Sequence, residues 1–342
     1  MKILFLTLGD RKVASSRARV YSYEPYLKRE GWKMVVMHYT PSWQCRKILS
    51  MGDENIIEKI INKLYSGCVM LSLFMLAPFF NLVYIQKVYI SKFSMKILRI
   101  LNNKVTFDFD DAVYLYKNIT YLLTTASAVI ASNDYLKTIA FDYNNQTYKL
   151  ITPVNVHNKQ HLVKENNAVI LGWIGSIGTS KYLNPLIPVF KKLTEKFKNL
   201  KIIFMGCSKN EGFELFGINV IDWSLEGEKK YLGEINIGIM PLEDDEWSRA
   251  KSGYKLLQYM AAAIPCVASP VGVNKEIVKN GVNGFLANTP DEWLDKLSAL
   301  VVDASLRKKM GQEGLSLAET LYSYEVTSPK LIEILSSVIK RE

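Results

Sequence analysis

Residues 168–181 read AVILGWIGSIGTSK, and this stretch decides the fold. The uninterrupted apolar run 168–174 predicts a strand that is buried on both faces. A glycine-rich turn, 175–181, follows it, and 181–198 have the spacing of an amphipathic helix. A strand that leads through a short turn into a helix is the repeating unit of a parallel sheet covered by helices.

The same alternation of short apolar runs and longer amphipathic segments extends over the whole chain. Strands are predicted in the first half at 2–8, 33–39, 82–86, 105–109, 128–132 and 149–152. They are predicted in the second half at 168–174, 201–205, 219–222, 235–240 and 265–269. A polar stretch, 153–167, separates the halves and is interpreted as a linker. The pattern predicts an α/β protein with two doubly wound, Rossmann-like domains.

The length of the chain also predicts two domains. At 342 residues it exceeds the roughly 150 residues of one ordinary domain. We place the first domain at 1–155 and the second at 156–323, and the last segment, 324–342, has the pattern of an amphipathic helix. Open parallel sheets bind ligands beyond the carboxyl ends of their strands. We therefore expect the two domains to face each other across a ligand-binding interdomain cleft.

Charge and composition restrict the class of function. The net charge of +10 indicates anionic partners, such as nucleoside diphosphates, acidic lipids or nucleic acid. Nucleic acid is disfavoured because neither a zinc-finger spacing nor an RNA-binding motif is present. The four cysteines and three histidines have no metal-ligand spacing. The N-terminus runs into a strand pattern without a cleavable signal, so we expect a cytoplasmic protein with no bound metal.

One segment, 67–80, is nearly all apolar and reads GCVMLSLFMLAPFF. It is too short to span a bilayer, which takes about 20 residues. Two interpretations stay open. The segment is either a helix buried between layers or a monotopic patch that rests on an anionic membrane, helped by Lys59 and Lys63.

The glycine-rich turn 175–181 has the composition of a phosphate site. Glycines let backbone N–H groups approach a phosphate, the following helix N-terminus adds partial positive charge, and Lys181 supplies a full charge. An ordinary tight turn would have the same composition. The turn matches neither the GxGxxG nor the GxxxxGK[ST] motif, which disfavours nicotinamide-dependent dehydrogenases and P-loop enzymes.

A second anion site is indicated by residues 247–274, which read WSRAKSGYKLLQYMAAAIPCVASPVGVN. Ser252 and Gly253 open a helix, and the first N–H groups of a helix have no partners within it. Three cations are close by in sequence: Arg249, Lys251 and Lys255. We expect a diphosphate here. The alternative is a solvated basic turn before a core helix.

Residues 251–286, KSGYKLLQYMAAAIPCVASPVGVNKEIVKNGVNGFL, resemble the nucleotide-binding signature of glycosyltransferase family 4 (group 1), which are retaining enzymes of the GT-B fold. They are most similar to a bacterial subgroup that assembles surface polysaccharides. Four further stretches agree: ASSRARVYSYEPYLKREGW (14–32), FDFDDAVY (107–114), LGWIGSIGTSKYL (171–183) and YSYEVTSPKLIEIL (322–335). The resemblance implies a nucleotide-sugar-dependent glycosyltransferase of the hexosyltransferase type.

Site roles transfer from the family only where the residues match. Lys181 matches a phosphate-binding cation, and Glu276 matches an acidic residue near the start of a later helix. The family's usual pair of glutamates falls on Ala250 and Gln258, and its usual arginine falls on Ser176, so these roles do not transfer. We expect Gln258 to form a hydrogen bond to a ribose hydroxyl, more weakly than a carboxylate would.

Lys251 and Lys255 are predicted to replace the missing arginine charge. The full predicted donor site comprises Arg17, Gly175, Ser176, Lys181, Lys251, Ser252, Gly253, Tyr254, Lys255, Gln258 and Glu276. In such transferases the leaving group is a nucleoside diphosphate, so nearby cations and helix ends stabilise the charge that develops on it. Lys181 and Lys255 are therefore predicted to be catalytic. The resemblance implies retention of anomeric configuration without a metal or another cofactor.

Asp108, Asp110 and Asp111 come at the end of a first-domain strand, where Asp108 and Asp110 share one face. Their context resembles the DxDDA loop of the GT-B subgroup. That resemblance implies carboxylates that line the cleft, with Asp110 catalytic and the other two in contact with the acceptor. A D-x-D metal site and a purely structural capping role are the alternatives.

Other polar residues of the first domain complete the predicted site. Arg17 is expected to bind a donor phosphate or an anionic acceptor. Ser16 reads equally well as an N-cap and Arg19 as a surface residue. Asn133 is assigned to the acceptor region, with a plain N-cap as the alternative. By resemblance, the helix 324–342 packs back on the first domain.

These observations predict a retaining glycosyltransferase that moves a sugar from a nucleoside-diphosphate sugar to a saccharide or lipid-linked acceptor. The predicted setting is bacterial surface polysaccharide or glycolipid synthesis in the cytoplasm, at the inner face of the cytoplasmic membrane if 67–80 contacts it. Two other functions stay open. A non-catalytic nucleotide-sugar-binding protein would bind the donor without turnover, and a GT-B-fold sugar-nucleotide epimerase would need no acceptor.

Overall fold

The computed structural model describes residues 1–45, 55–156, 168–208 and 212–341. The chain divides into two compact units. The first comprises Met1–Pro153, Ala250–Ser252 and Tyr324–Glu342, and the second comprises Val154–Arg249 and Gly253–Ser323. Each unit is built on one six-stranded sheet, so the prediction of an α/β protein with two doubly wound domains is confirmed. Most of the predicted linker, 157–167, lies outside the described residues.

The sheet of the first unit is parallel throughout. Its strands are β1 (Lys2–Thr7), β2 (Lys33–His38), β3 (Leu82–Gln86), β4 (Val105–Phe109), β5 (Ala128–Ala131) and β6 (Thr147–Lys149). Their order is β2-β1-β3-β4-β5-β6. β3 and β4 are buried along their whole length, because each has a neighbour on both sides and helices above and below. The order of the strands reverses between β1 and β3, where open sheets commonly bind ligands.

The helices that connect these strands in the described residues include α1 (Ala14–Arg19), α2 (Glu24–Arg29), α3 (Ile56–Leu76), α4 (Lys92–Leu101), α5 (Thr120–Thr125) and α6 (Asp134–Phe141). Their starts follow the expected capping chemistry: Asn55, Ser91 and Asn133 each accept a hydrogen bond from a backbone N–H of the first turn. Ser16, by contrast, is not the N-cap of α1, which begins two residues earlier, after Val13.

The second unit repeats the architecture. Its strands are β7 (Val169–Ile174), β8 (Leu200–Met205), β9 (Asn219–Ile221), β10 (Ile237–Met240), β11 (Cys266–Ala268) and β12 (Gly284–Leu286). They lie in the order β12-β11-β10-β7-β8-β9, again all parallel. The helices are α7 (Ile177–Ser180), α8 (Ile187–Lys196), α9 (Leu225–Leu232), α10 (Glu246–Arg249), α11 (Tyr254–Ala261), α12 (Asn274–Ile277), α13 (Pro290–Val302) and α14 (Ala304–Leu317). The order of the strands reverses here between β7 and β10.

The last helix, α15 (Tyr324–Lys340), is part of the first unit and packs on α2. The Tyr324 hydroxyl donates to the backbone carbonyl of Ala18 at 2.8 Å, and the Tyr26 hydroxyl donates to Glu325 at 2.8 Å. Leu331 and Leu335 join the core of the first unit. The chain therefore returns to its N-terminal unit by burying one apolar face of α15.

The placement of α3 differs from one of the two predictions for 67–80. The helix is not buried between layers, since most of its apolar side chains are exposed and only Val69 and Leu73 are buried within it. It is also longer than the apolar run suggests, because Asn55 and Glu58 form a capping box that starts it at Ile56. Ile56–Phe79 is long and apolar enough to cross a membrane, judged by length and composition alone.

Candidate functional site

The glycine-rich turn after β7 and the start of α11 come together around Lys255. The Lys255 ammonium lies 3.2 Å from the Thr179 hydroxyl oxygen and 4.2 Å from the centroid of the Trp173 ring. A Cβ on Gly175 would lie 2.2 Å from Trp173 Cη2 and 2.7 Å from Lys255 Nζ. Only glycine fits at this point, because any side chain would displace either the ring or the ammonium.

The helix that carries Lys255 starts in a way suited to an anion. Gly253 precedes it with a φ of 69°, in the left-handed region, and makes no side-chain cap. A Cβ on Gly253 would lie 2.4 Å from Ile277 Cδ1 and 3.0 Å from Val273 Cγ1, so the segment before and within α12 packs directly on this turn. The first turn of α11, with Tyr254 and Lys255, thus joins a positive helix end to a fixed ammonium.

Two residues of the predicted phosphate turn are placed differently from Lys255. Ser176 is the N-cap of α7 and forms a capping box with Thr179, so it shapes the turn. Lys181 is exposed at the end of α7, and its ammonium lies 5.0 Å from the centroid of the Tyr182 ring. Sequence spacing favoured Lys181 because it follows the turn directly, but it is Lys255, brought in from α11, whose ammonium contacts the turn.

Two of the three cations predicted to form one cluster lie close to carboxylates. Lys251 lies with Ser252 in the segment that belongs to the first unit, where its ammonium is 3.9 Å from Asp111. Arg249 forms an ion pair of 2.7 Å with Asp244. Lys255 is in contact with the turn, and the charges predicted for Lys251 and Arg249 at the donor stay predictions.

Gln258 has a carboxylate partner that the sequence did not indicate. The side chain is buried on α11, and its Nε2 donates to Glu228 Oε1 at 2.7 Å. The other oxygen of Glu228 accepts from Trp223 Nε1 at 2.8 Å. A carboxylate thus lies beside the position where the family places a glutamate, but it comes from α9. No periodicity links 228 to 258, so only the fold could bring them together.

Glu276 lies exposed on α12, which follows β11 by a short loop. Gly272 in that loop has a φ of 50°, and a Cβ on it would lie 2.8 Å from the carbonyl oxygen of Arg249. The loop is therefore held close to the segment that leads into α11. This packing orders the chain that carries Glu276, and the predicted contact of its carboxylate with the donor stays a prediction.

In the first unit, a buried lysine joins two of the three aspartates. Lys87 directly follows β3 and has a φ of 55°, a strained conformation for a residue other than glycine. Its ammonium lies 3.2 Å from Asp110 Oδ1 and also bonds Asp111. The sequence analysis missed Lys87, although it directly follows a strand. Residues at such positions often bind ligands in parallel sheets.

These charges shift one another's ionisation. Burial disfavours the ammonium of Lys87, but the carboxylates of Asp110 and Asp111 outweigh burial and raise its pKa. Burial likewise acts to raise the pKa of Asp111, but Lys87 and Lys251 outweigh it, so that pKa lies below its usual value. Lys87 and Asp111 therefore stay ionised at neutral pH as an ion pair.

Asp108 is a correction to the sequence analysis. It does not line a surface that an acceptor can reach, because it is fully buried and held by Arg19, whose Nη2 lies 2.6 Å from Asp108 Oδ1. Arg19, predicted at the surface, is itself only 2% exposed and also donates to Thr152. Asp108 is therefore the ion-pair partner of a buried arginine, whereas Asp110 follows the end of β4.

Asn133 and Arg17 complete the first unit's predicted residues. The Asn133 oxygen caps α6 by accepting from the Leu136 N–H at 2.8 Å, and its amide nitrogen donates to the carbonyls of Ala250 and Lys251, both at 3.0 Å. It anchors the 250–252 segment as well as the helix. Arg17 is half-buried on α1 and donates to the carbonyl of Arg11 at 3.0 Å.

Chemically, each unit offers a different set of groups. The second unit presents an ammonium and a helix start beside a glycine-rich turn, which suits a phosphate oxygen. The first unit presents carboxylates compensated by Lys87. Within the described residues, no three His, Cys, Asp or Glu side chains are grouped in a way that would hold a metal ion.

The sequence of the second unit matches a known family. Residues 168–303 match the sequence model of the family described as "Glycosyl transferases group 1". The chain is also 22% identical over 262 residues to the Staphylococcus aureus protein named capsular polysaccharide biosynthesis glycosyltransferase CapM. That alignment covers 72% of this chain and 67% of CapM. The resemblance found in the sequence is therefore confirmed at the level of the family.

Two solved structures have the same fold over nearly the whole chain. The crystal structure of Anabaena HepE in complex with UDP and glucose has a TM-score of 0.70 at 14% identity and covers 98% of this chain and 100% of HepE. Sucrose-phosphate synthase from Thermosynechococcus elongatus has a TM-score of 0.73 at 12% identity, with 99% of each chain covered. Identities this low show the fold, which is GT-B, as the sequence predicted.

Proposed function

We propose that this chain moves a sugar from a nucleoside-diphosphate sugar to a saccharide or lipid-linked acceptor. Its residues 168–303 match the model of the group 1 glycosyltransferases. The observation that carries the proposal is the contact of Lys255 with the turn at Gly175 and Thr179. A turn that admits no side chain, an ammonium beside it and a helix start together match the needs of a diphosphate.

The chemical role of Lys255 follows from the reaction. When the glycosidic bond of the donor breaks, negative charge develops on the leaving diphosphate. An ammonium already fixed by Trp173 and Thr179 needs no reorganisation to meet that charge, so it stabilises the transition state more than the ground state. Lys181, which is exposed, is the predicted second cation and would reach the diphosphate from solvent.

The nucleoside part of the donor is assigned to the Gln258–Glu228 pair. The amide–carboxylate hydrogen bond of 2.7 Å leaves oxygen lone pairs on both side chains that can accept from ribose hydroxyls. The UDP complex of HepE, a relative in fold, supports a nucleoside diphosphate as the ligand class. Glu276 is on α12, which packs against the start of α11 through Ile277, and is proposed to contact the transferred sugar.

Further properties of the reaction are proposed from the family resemblance and from the similarity to CapM. Retention of anomeric configuration, catalysis without a bound cofactor, and a role in bacterial surface polysaccharide or glycolipid synthesis are proposed on that basis. Asp110 and Asp111 of the first unit, held by Lys87, are proposed to bind hydroxyl groups of the acceptor, because carboxylates accept hydrogen bonds from hydroxyls. We propose the cytoplasm as the site of the reaction.

A donor screen tests the proposal. UDP, GDP, dTDP, CMP and NAD are compared by thermal shift, with and without magnesium. Saturation to about 100 times Kd adds roughly 2.7 kcal/mol of stability. One selected nucleoside diphosphate should raise the Tm, and the matching sugar nucleotide should then be consumed only when an oligosaccharide or polyprenyl-phosphate-linked acceptor is present.

The other possible results separate the alternatives. Binding of a sugar nucleotide without consumption, over a panel of acceptors, would favour the non-catalytic binding protein. Conversion of the donor to its epimer without an acceptor would favour the epimerase. A Tm shift with NAD and with none of the diphosphates would overturn the proposal.

A further inference from the structure

The helix α3 carries an apolar stripe that is exposed among the described residues of the first unit. Its exposed members recur at helical spacing and fall on one side of the helix: Ile56, Ile57, Ile60, Ile61, Leu64, Leu71 and Met75. Ile56 is 76% exposed and Leu64 is 66% exposed. The stripe is about 30 Å long, from 21 residues at a rise of about 1.5 Å each. An isolated exposed leucine is ordinary, but a continuous stripe of this length marks a binding face.

The opposite side of α3 is fixed to the first unit. Val69 and Leu73 are buried, and the Tyr65 hydroxyl lies 3.1 Å from His38 Nδ1 at the end of β2. The Asn102 amide donates to the carbonyls of Ala77 and Phe80, both at 2.9 Å, just beyond the end of the helix. The second half of the helix is therefore docked on the first unit, and the exposed stripe lies on the side away from these contacts.

The strand order excludes a simple crossing of a bilayer by this helix. β2 precedes α3 and β3 follows it, and both pair with β1 in one sheet. A single crossing would put the two ends of α3 on opposite sides of the membrane, so β2 and β3 could not share a neighbouring strand. The helix has the length to span, but the sheet requires both ends on the same side.

The neighbouring helix α4 extends the apolar face and frames it with positive charge. Phe93 and Ile100 on α4 are 72% and 84% exposed, and α4 packs against α3. Four exposed lysines lie on the two helices: Lys59, Lys63, Lys92 and Lys96. α4 has no acidic residue, and the single acid of α3, Glu58, is engaged in the helix cap.

We propose that α3 and α4 form a monotopic membrane-binding face that lies in the plane of an anionic lipid surface. An apolar stripe with lysines beside it is the composition of an in-plane interfacial helix, which gains from both acyl-chain burial and anionic headgroups. The face extends from Ile56 on α3 to Ile100 on α4. Binding to the membrane would hold the enzyme close to lipid-linked acceptors. Only this statement about acceptors rests on the proposed function.

A second copy of the chain is the competing occupant, and the charges disfavour it. In a twofold dimer the same patch meets itself. That arrangement would bring the lysines of α3 and α4 close to their own counterparts, with Glu58 already used in the cap. An anionic membrane compensates the same lysines and buries the same stripe.

Cys68 supplies a probe of the face. It is exposed on α3, among the stripe residues, whereas Cys45, Cys207 and Cys266 are buried. An environment-sensitive maleimide fluorophore on Cys68 of the full chain reports where the helix lies. With vesicles of phosphatidylcholine and phosphatidylglycerol we expect a blue shift, co-flotation and loss of binding in high salt. Vesicles of phosphatidylcholine alone should bind at least about tenfold more weakly, since each lysine near an anionic surface contributes about 1 kcal/mol.

Matched variants separate the face from the rest of the surface. Leu64→Glu with Leu71→Glu should abolish flotation, and Lys92→Glu with Lys96→Glu should weaken it on the order of tenfold or more. The control is Leu215→Glu with Val302→Glu, two equally exposed apolar residues of the second unit, which should float like the unchanged protein. Circular dichroism checks that each variant is folded.

Three results would overturn the proposal. The first is absence of flotation with anionic vesicles by the unchanged protein. The second is equal loss in the Leu215→Glu and Val302→Glu control. The third is a dimer in light scattering that Leu64→Glu dissociates while vesicle binding persists. Binding is measured without donor or acceptor, so a failure here leaves the proposed transferase reaction untouched, and the reverse also holds.

Discussion

Gln258 Nε2 donates a hydrogen bond of 2.7 Å to Glu228 Oε1. The pair joins α11 to α9 and is buried, and Trp223 holds the second oxygen of the carboxylate. The family's acidic residue is absent from position 258, but a carboxylate lies against that position from another helix. The amide is therefore a partner for a carboxylate that is already present.

Gln258→Glu should destabilise the protein at neutral pH by about 1–3 kcal/mol, because two carboxylates would then share a site. In the folded variant, one of the two carboxyl groups, at position 228 or 258, should have a pKa above its value in the unfolded chain. Its stabilising contribution is complete below the unfolded pKa and is lost as the pH rises through the folded pKa. Urea unfolding at several pH values measures this. The swapped variant, Glu228→Gln with Gln258→Glu, should recover most of the stability, and a Gln258→Glu protein as stable as the original at neutral pH would contradict the pairing.

Lys255→Ala should weaken binding of the selected nucleoside diphosphate by roughly 10- to 100-fold, the range of a lost charge-assisted hydrogen bond. Turnover should fall at least as much as binding, because the charge it meets is largest in the transition state. Calorimetric titration and initial rates measure the two effects. Lys191→Ala is the control: its ammonium also lies over a ring, 4.6 Å from the centroid of Phe216, but on α8. Equal losses in both variants would show that the effect is general and not local to the turn.

Gly175→Ala should cost about 1–3 kcal/mol of stability and reduce donor binding, because its Cβ would lie 2.2 Å from Trp173 Cη2. Displacing the ring also displaces the ammonium of Lys255. Gly67→Ala is the matched control. It lies inside α3 with nothing within 4 Å of a Cβ, and it should stabilise the protein by roughly 0.5–1 kcal/mol. Thermal unfolding and donor titration of both variants measure these opposite signs, and a neutral Gly175→Ala would mean that the turn has room.

Lys87→Met should destabilise the first unit by roughly 3–5 kcal/mol near neutral pH, because it leaves the buried carboxylate of Asp110 and the partly exposed carboxylate of Asp111 without their main cation. In the unchanged protein the folded pKa of Asp111 is below its unfolded value. Its contribution is therefore present above the unfolded pKa of about 3.9 and is lost as the pH falls through the folded pKa. In the variant the folded pKa of Asp111 should rise. The difference in unfolding free energy between the variant and the unchanged protein should therefore become smaller as the pH falls.

Denaturant unfolding between about pH 7 and pH 3 measures this gap. Lys149→Met is the control, since Lys149 pairs with Asp134, whose side chain is 61% exposed. Such surface pairs contribute about 0–1 kcal/mol. A Lys87→Met protein whose loss matches the control at all pH values would show that the ion pairs contribute little.

The sequence predicted the strands better than it predicted the helix at 67–80. Each central strand is an apolar run that any parallel sheet buries, so its period and length are local properties. The helix at 67–80 was ambiguous because an apolar run packs equally well against protein or lipid. Its true start depends on the Asn55–Glu58 capping box upstream. Only the position of β2 and β3 in one sheet decides which side of α3 is covered.

Gly175, Gly253 and Lys255 could be singled out from the sequence because strand-to-helix turns and helix starts have local signatures. Asp108 was misjudged because a strand's two faces look alike in sequence. The cation that neutralises it, Arg19, is 89 residues away. Lys87 and Glu228 were missed because their partners are on other elements, and no pattern of spacing records such a contact.

The sequence by itself determined the α/β class, the two doubly wound sheets, the glycines at the turns and the family model that residues 168–303 match. These properties depend on periodicity and on residue types within short windows. The tertiary structure alone decided which charges meet: Lys255 with Thr179, Lys87 with Asp110, and Gln258 with Glu228. The reason is physical. An ion pair or hydrogen bond depends on distances of about 3 Å, and the fold sets those distances by bringing together segments that are far apart in the chain.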